Sequence, residues 1–288
     1  MDPSFGGEPF DGIRTQGIRL LSRGLRFKRY NMDADSNTVK VQGLVKFFDE
    51  LPEQETKKLQ NNPQAVLAKI DEYSQTNNLM IVGKKKGKIV YDEILKKNPV
   101  TMIELGCFIG YSAIYFSQGL SNDTNAKYYS FEANQYFADV AQRFINLAGL
   151  QDKIEIIVGK ANSSLESFQD QLFAKFHEYL PLDFIFIDHW KDLYVPDLRL
   201  LETLSMIGPG TVIVADNILK PGAPEYAQYV QSSPEERRQH NYDVENINGA
   251  RFMGRWNILY ESKTVEVELE DGSKDAVEIT VCTDFLNG

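Results

Sequence analysis

Beyond Pro99 the chain alternates short apolar runs with longer stretches in which apolar residues recur every three to four positions. The short runs predict strands at residues 100–105, 128–131, 154–158, 184–187 and 211–215. The longer stretches predict helices at residues 112–120, 135–147, 165–179 and 196–206. This alternation is typical of an α/β fold with a doubly wound, mostly parallel sheet, and right-handed crossovers would place helices on both of its faces.

The region before Pro99 is predicted to be mainly helical. Residues 39–59 have the apolar spacing of helices, a further helix should begin near Pro63, and another should occupy residues 87–95. Residues 1–38 look irregular. The chain therefore divides into an irregular segment at 1–38, a helical lid at 39–98 that extends the fold at its N-terminal side, and a core at 99–262.

The C-terminal region has a different pattern of apolar and polar residues. Residues 224–230 have helical spacing, and the residues after them read as a polar, charged loop. A strand is expected near residues 255–260. Apolar and polar residues then alternate at 265–269 and 276–281 around Asp271 and Gly272, a pair that suits a two-residue hairpin turn. We expect residues 263–288 to form a hairpin extension to the domain at 39–262.

Composition narrows the classes of function. The 288 residues carry a net charge of -10, which argues against nucleic-acid or membrane-surface partners. Lys84, Lys85, Lys86 and Lys88 form the main basic run and are expected to be solvated. The two cysteines lie far apart, as in a reduced cytosolic protein. No apolar run has the length of a membrane span and no secretory signal is evident, so we expect a cytoplasmic protein. Nothing indicates a protein partner.

Polar residues follow two of the predicted strands directly. Asp188 ends the run at 184–187, and Asp216 with Asn217 ends the run at 211–215. Parallel strands deliver their carboxyl ends to one edge of a sheet, and hard oxygen ligands in small number suit Mg²⁺. Lys191, three residues after Asp188, could take a proton. The alternative is that Asp188 caps a helix and that Asp216 and Asn217 only form a turn.

A second feature lies at the end of the first predicted strand. Gly106 permits a sharp turn there, and Gly110 permits close approach of a ligand or a helix. The spacing departs from the dinucleotide pattern G-x-G-x-x-G, and bulky Phe108 lies between the glycines. Glu132, at the end of the next strand, could bind the two ribose hydroxyls of a nucleoside. The combination favours a nucleoside cofactor without a pyrophosphate over a simple tight turn.

Several of these segments closely resemble the catechol O-methyltransferase family, in order from about residue 62 to residue 231. The matching segments are Met-Ile-Val-Gly at 80–83, Lys-Gly-Lys at 86–88, Glu-Leu-Gly at 104–106, Gly-Tyr-Ser at 110–112, Asp-His-Trp-Lys-Asp at 188–192, Ala-Asp-Asn at 215–217 and Pro-Gly-Ala-Pro at 221–224. The Asp-His-Trp-Lys-Asp and Pro-Gly-Ala-Pro strings are the specific ones. The resemblance implies a Rossmann-like S-adenosylmethionine-dependent methyltransferase with a seven-stranded sheet whose last strand is antiparallel.

The resemblance also implies roles for individual residues. Mg²⁺ would be held by Asp188, Asp216 and Asn217, and Lys191 would be the general base. S-adenosylmethionine would be bound by Val82, Gly106, Tyr111, Ser112, Glu132, Ala133, Asn162, Asp188, His189 and Trp190. An aromatic diol would contact Met80, Trp190, Lys191, Asn217, Pro221 and Asn246. The implied activity is methylation of one hydroxyl of a catechol.

Two positions depart from the family pattern. Asn78 stands where the family has a tryptophan that walls the acceptor, and no glutamate aligns near Asn246 to hold the second hydroxyl, although Glu245 is adjacent. These departures keep open a different vicinal-diol aromatic as acceptor. From other classes, an NAD-dependent oxidoreductase is disfavoured by the glycine loop. A non-catalytic ligand-binding protein is disfavoured by the retained Asp188, Lys191, Asp216 and Asn217.

Overall fold

The computed structural model describes residues 36–286, and the irregular segment predicted at 1–38 lies almost entirely outside them. Residues 36–49 are helical (α1). The further helices are α2 Glu53–Leu59, α3 Pro63–Asn77, α4 Lys84–Lys97, α5 Tyr111–Phe116, α6 Gln135–Ala148, α7 Ala161–Phe176, α8 Tyr194–Thr203, α9 Pro224–Gln231 and α10 Pro234–Asp243. The strands are β1 Thr101–Leu105, β2 Lys127–Glu132, β3 Ile154–Val158, β4 Phe184–Ile187, β5 Val212–Ala215, β6 Ile258–Glu268 and β7 Lys274–Phe285. No helix of the described part is long and apolar enough to cross a membrane.

The strands form one seven-stranded sheet in the order β3-β2-β1-β4-β5-β7-β6. β1 to β5 are parallel, and β7 runs antiparallel to both of its neighbours. The predicted fold class, a Rossmann-like doubly wound sheet, is therefore confirmed. Chain progression reverses between β1 and β4, and ligands of such sheets bind in the crevice at that point.

Side chains of the central strands alternate between two cores, one on each face of the sheet. On β4, Phe184 and Phe186 point into a core shared with α1, α3, α4, α5 and α6. Ile185 and Ile187 point into a second core built with α7, α8 and α9. This is why the predicted strands read as continuous apolar runs: both of their faces are covered.

The C-terminal hairpin belongs to the sheet. Val281 and Ile279 of β7 pair with Val212 and Val214 of β5, so the hairpin supplies the two strands at one edge. The two short strands predicted at 255–260 and 265–269 are parts of the single strand β6, and the boundary expected between 262 and 263 falls within it. The polar residues between them lie on an edge strand, where charged side chains can alternate along the strand and remain in solvent.

Helix α10 was not predicted, since the residues after 231 read as a polar loop. Its start is nevertheless encoded locally: Ser233 and Glu236 form a reciprocal capping box ahead of the helix, with Pro234 in the first turn. The helix lacks a continuous apolar face, and its main buried anchors are Arg237 and Asn241. Hydrophobic periodicity alone could not have identified it.

If the hairpin is part of the cooperative fold, trimming a buried side chain on β7 should destabilise the whole domain. Val277 is fully buried, so V277A should lower the free energy of unfolding by about 2 kcal/mol in urea titrations followed by circular dichroism. The matched variant V244A alters a side chain that is 47% exposed and should change little. Equal stability of the two variants would mean that the hairpin folds independently of the sheet.

Candidate functional site

The ends of β1 and β4 are in direct contact at the reversal point of the sheet. Gly106 has φ +107, a backbone conformation that favours glycine. A Cβ atom at this position would lie 2.6 Å from the carbonyl oxygen of Asp188. Gly106 thus brings the loop after β1 against the residue that begins the loop after β4, as the sequence predicted for one shared crevice.

Glu132 lies at the base of the glycine loop. Its carboxylate accepts hydrogen bonds from the backbone N–H groups of Phe108 and Asn134, each at 2.8 Å. Burial raises the pKa of Glu132, and the backbone N–H donors oppose that rise. The carboxylate of Glu132 therefore fixes the glycine loop from the neighbouring strand.

Glu104 is an acidic residue near the site that the sequence patterns did not single out. This carboxyl group is fully buried on β1; one oxygen accepts a hydrogen bond from Ser130, while the other has no partner among residues 36–286. Burial raises the pKa of Glu104 to about 7, and the nearby hydroxyls of Ser112 and Tyr128 partly oppose this. An acidic residue inside an otherwise apolar strand was the signal that could have identified it.

Two acidic residues, Asp188 and Asp216, directly follow the neighbouring strands β4 and β5. Asp216 is almost fully buried, and both of its oxygens lie within 2.9 Å of the ammonium nitrogen of Lys86. Burial and then the charge of Asp188 raise the pKa of Asp216 to about 7, while Lys86 opposes the rise. Asp188 and Asp216 thus follow neighbouring strands and influence one another electrostatically, and the buried Lys86 corrects the expectation that this lysine is solvated.

Asn217 lies at the same edge of the sheet, directly after Asp216. Its backbone is left-handed, with φ 57, and its amide nitrogen donates to the carbonyl of Lys220 at 3.0 Å and to Asp275 at 3.1 Å. Both amide hydrogens are thus used, and the oxygen accepts nothing from the described residues. Two carboxylates and one amide oxygen suit a small hard cation such as Mg²⁺. No group of three or more His, Cys, Asp or Glu side chains that could hold a metal occurs within residues 36–286.

Lys191 lies beside this cluster. Its ammonium nitrogen donates to Asp188 at 2.9 Å and to the hydroxyl of Tyr194 at 2.6 Å, and that hydroxyl donates to the backbone carbonyl of Asp216. Tyr194 is fully buried, and its ring lies beneath the ammonium group. Tyr194 is therefore a second residue that the sequence analysis did not single out, and it holds Lys191 between the two strand ends.

The remaining residues predicted for the cofactor have the following surroundings. His189 bonds Asp197 through Nε2 at 2.8 Å, while its Nδ1 is buried without a partner among the described residues. Tyr111 is buried and donates to Asp71. The structure places Val82 in the buried core, Ser112 in α5 beside Glu104, Trp190 at 40% exposure, Ala133 just beyond β2 and Asn162 in the first turn of α7.

Residues predicted to contact an acceptor divide into two groups. Met80 is 55% exposed, and its sulfur accepts a hydrogen bond from Asn37 of α1. Pro221 follows a cis peptide bond in the short π-helical turn Ile218–Gly222. Asn246 is different. It is buried, its amide nitrogen bonds the carbonyls of Pro196 and Phe252, and its oxygen accepts from Asn248. These bonds hold the loop that carries Asn246, and its expected contact with an acceptor stays a prediction.

Comparison with known proteins agrees with this geometry. The sequence pattern of the O-methyltransferase family matches residues 59–249. A catechol O-methyltransferase of Bos taurus is 38% identical over 173 residues, which are 60% of this chain and 61% of that protein. A probable O-methyltransferase of Mycobacterium tuberculosis is 32% identical over 58% of this chain and 70% of its own length. The chain thus spans less than two thirds of its bovine relative.

Solved structures support the fold. The O-methyltransferase of Bacillus cereus in complex with SAH superimposes with a TM-score of 0.52 at 24% identity, covering 76% of this chain and 90% of that one. The O-methyltransferase TomG of Streptomyces achromogenes, in complex with SAM, gives a TM-score of 0.50 at 19% identity, over 76% of this chain and 89% of that one. At these identities the likeness concerns the fold.

The buried Glu104 generates a pH-dependent prediction. Its pKa is near 4.5 in the unfolded chain and about 7 in the folded protein, so the folded state holds its proton more tightly. The contribution of this group to stability is therefore lost as the pH rises from 4.5 through 7. Between pH 5 and pH 8, wild type should lose roughly 2–3 kcal/mol relative to E104Q in urea unfolding. The exposed variant E270Q should show the same pH dependence of stability as wild type. If the stability difference between wild type and E104Q did not change with pH, the raised pKa of Glu104 would be contradicted.

Proposed function

Because this chain belongs to the O-methyltransferase family, we propose that it transfers the methyl group of S-adenosylmethionine to one hydroxyl of a catechol, with Mg²⁺ at the strand ends. The observation that carries this proposal is the grouping of Asp188, Asp216, Asn217 and Lys191 beside the glycine loop. One crevice can then hold a nucleoside cofactor, a cation and an acceptor together.

For the cofactor, the crevice offers acidic groups at two points. Glu132 would bind the ribose hydroxyls, while the free oxygen of Glu104 would pair with an ammonium group on the methionine portion. His189 and Trp190 would lie at the adenine, and Val82, Gly106, Tyr111 and Ser112 at the methionine portion. S-adenosylmethionine bound there would supply the methyl group, and a positive charge would offset the carboxylates.

For the acceptor, the chain's own residues provide a base and hold it in place. Mg²⁺ held by Asp188, Asp216 and Asn217 would lower the pKa of an acceptor hydroxyl. Lys191 would first release a proton to solvent, and its neutral amine would then accept the proton from that hydroxyl, after exchanging its hydrogen bonds with Asp188 and Tyr194 for one to the acceptor. Holding base and acceptor in one crevice removes much of the entropic cost of their encounter.

A second candidate is the same reaction on a different vicinal-diol aromatic. Asn78 is exposed at the end of α3 and presents no aromatic wall, and the amide of Asn246 is used within its loop. The second hydroxyl of an acceptor would then lack the family's glutamate. Neither the NAD-dependent oxidoreductase nor the non-catalytic binding protein gains support from the family match. The cytoplasmic location and the absence of macromolecular partners stay predictions.

The metal requirement is tested by removing the metal. With S-adenosylmethionine and a catechol, methylated product measured by liquid chromatography should form in Mg²⁺ and should fall by about 100-fold in EDTA, because the acceptor hydroxyl loses its charge stabilisation. Readdition of Mg²⁺ serves as the control. Full activity in EDTA would reject the metal, while no product from any vicinal diol in Mg²⁺ would reject the proposed reaction.

The role of Lys191 is tested by K191A. Loss of the base should lower kcat by about 100-fold or more, while the dissociation constant of S-adenosylmethionine, measured by calorimetry, should change little. K57A, on the exposed surface of α2, is the matched control and should retain full activity. An unchanged kcat in K191A would assign the proton transfer to another group.

A further inference from the structure

The turn of the C-terminal hairpin lies against the segment that follows β5. At the start of β7, Asp275 is almost fully buried, and one of its oxygens accepts hydrogen bonds from the backbone N–H groups of Leu219, Lys220 and Ala276 at 2.8–3.2 Å. Its other oxygen accepts from Asn217 at 3.1 Å and from Lys86 at 2.8 Å. One carboxylate of the hairpin therefore serves five donors.

Three further hydrogen bonds tie the hairpin to the segment after β5 and to α4. Lys220 donates to Asp271 at 3.3 Å and to Ser273 at 3.0 Å, both in the hairpin turn. Lys85 donates to the backbone carbonyl of Glu268 at the end of β6. These groups are largely exposed, so they add less than the buried carboxylate does. The hairpin nevertheless holds the segment 217–221 from two sides.

The bond from Asn217 to Asp275 decides which way the Asn217 amide points. A carboxylate only accepts hydrogen bonds, so the atom of Asn217 that faces Asp275 must be the NH₂ group. The carbonyl of Lys220 takes the second amide hydrogen. With both hydrogens used on one side, the amide oxygen is left for a cation, which binds oxygen and not NH₂.

We propose that Asp275 is a positioning residue for the candidate metal site: it fixes the Asn217 amide with its oxygen available, and it anchors the segment that carries Pro221. This inference rests on the proposed function, because it assumes that Asn217 binds a divalent cation. It gives the C-terminal hairpin, which the sequence left without a role, a direct part in building the acceptor half of the site.

The variant D275N separates this role from simple packing, since it keeps the size of the side chain. An amide has one accepting and one donating end. If its oxygen faces the three backbone N–H groups, its NH₂ must face Asn217 and Lys86, both of which are donors. The Asn217 amide should then turn over or move. D275E keeps the negative charge near Lys86 and displaces only the carboxylate.

The experiment measures Mn²⁺ binding to the full chain by electron paramagnetic resonance, in the absence of S-adenosylmethionine and acceptor. Wild type should bind Mn²⁺, and N217A should lose that binding, which locates the ion. D275N and D275E should each weaken Mn²⁺ binding by about tenfold, while S-adenosylmethionine binding measured by calorimetry stays within twofold. D271N, which alters the exposed partner of Lys220, is the matched control and should bind Mn²⁺ as wild type does.

A double variant supplies the rescue. In D275N/N217D the polarity of the pair is reversed, so the carboxylate at 217 can accept from the amide at 275 and still offer an oxygen to the ion. Because the new carboxylate alone raises Mn²⁺ affinity, the comparison is with N217D: in that background D275N should change Mn²⁺ affinity by less than about threefold, whereas a purely structural role of Asp275 would give the same tenfold loss as in wild type.

The outcomes separate the two proposals. Wild-type Mn²⁺ affinity in both D275N and D275E would overturn the positioning role and leave the proposed function standing. Absence of Mn²⁺ binding in wild type would overturn the metal dependence and the positioning role together. If D275N does not fold, as judged by circular dichroism, D275E and the double variant still decide the question.

Discussion

The ammonium group of Lys86 is the interaction on which the candidate site depends. It is buried between Asp216 and Asp275 and so joins α4, the end of β5 and the hairpin at one point. Removing three charges from water costs free energy, and the ion pairs offset that cost only when every donor and acceptor has a partner. Since each charged group needs its partners, the positions of α4, the end of β5 and the hairpin depend on one another.

One lysine does not balance all the negative charge of this cluster. Asp216 shares Lys86 with Asp275, and burial together with the charge of Asp188 raises the pKa of Asp216 to about 7. Glu104, which is buried, and Glu132, which is half-buried, are further acids near the strand ends, and burial raises the pKa of each. A crevice lined with acids of raised pKa favours cationic ligands. Both ligands of the proposed function, a sulfonium cofactor and Mg²⁺, meet that description.

The local patterns that were correctly interpreted share a physical basis. Phe184–Ile187 and Val212–Ala215 are buried on both faces, so they read as apolar runs, and the polar residues that follow them had to lie at the strand ends. Glu104 was missed because periodicity treats a strand as uniformly apolar. Helix α10 was missed because its anchors are polar, and the hydrogen bonds of Asn246 could not be predicted because its partners lie up to 50 residues away.

By itself, the sequence determined the fold class, the glycine loop with Glu132, and the placing of Asp188, Asp216, Asn217 and Lys191 at strand ends, because these depend on residues near one another in the chain. Only the tertiary structure decided that the hairpin completes the sheet and that Asp275 orients Asn217. Lys86 and Asp275 are 189 residues apart, and no local preference of either residue indicates their pairing. The fold brings the two side chains together, and their pairing offsets the free-energy cost of burying their charges.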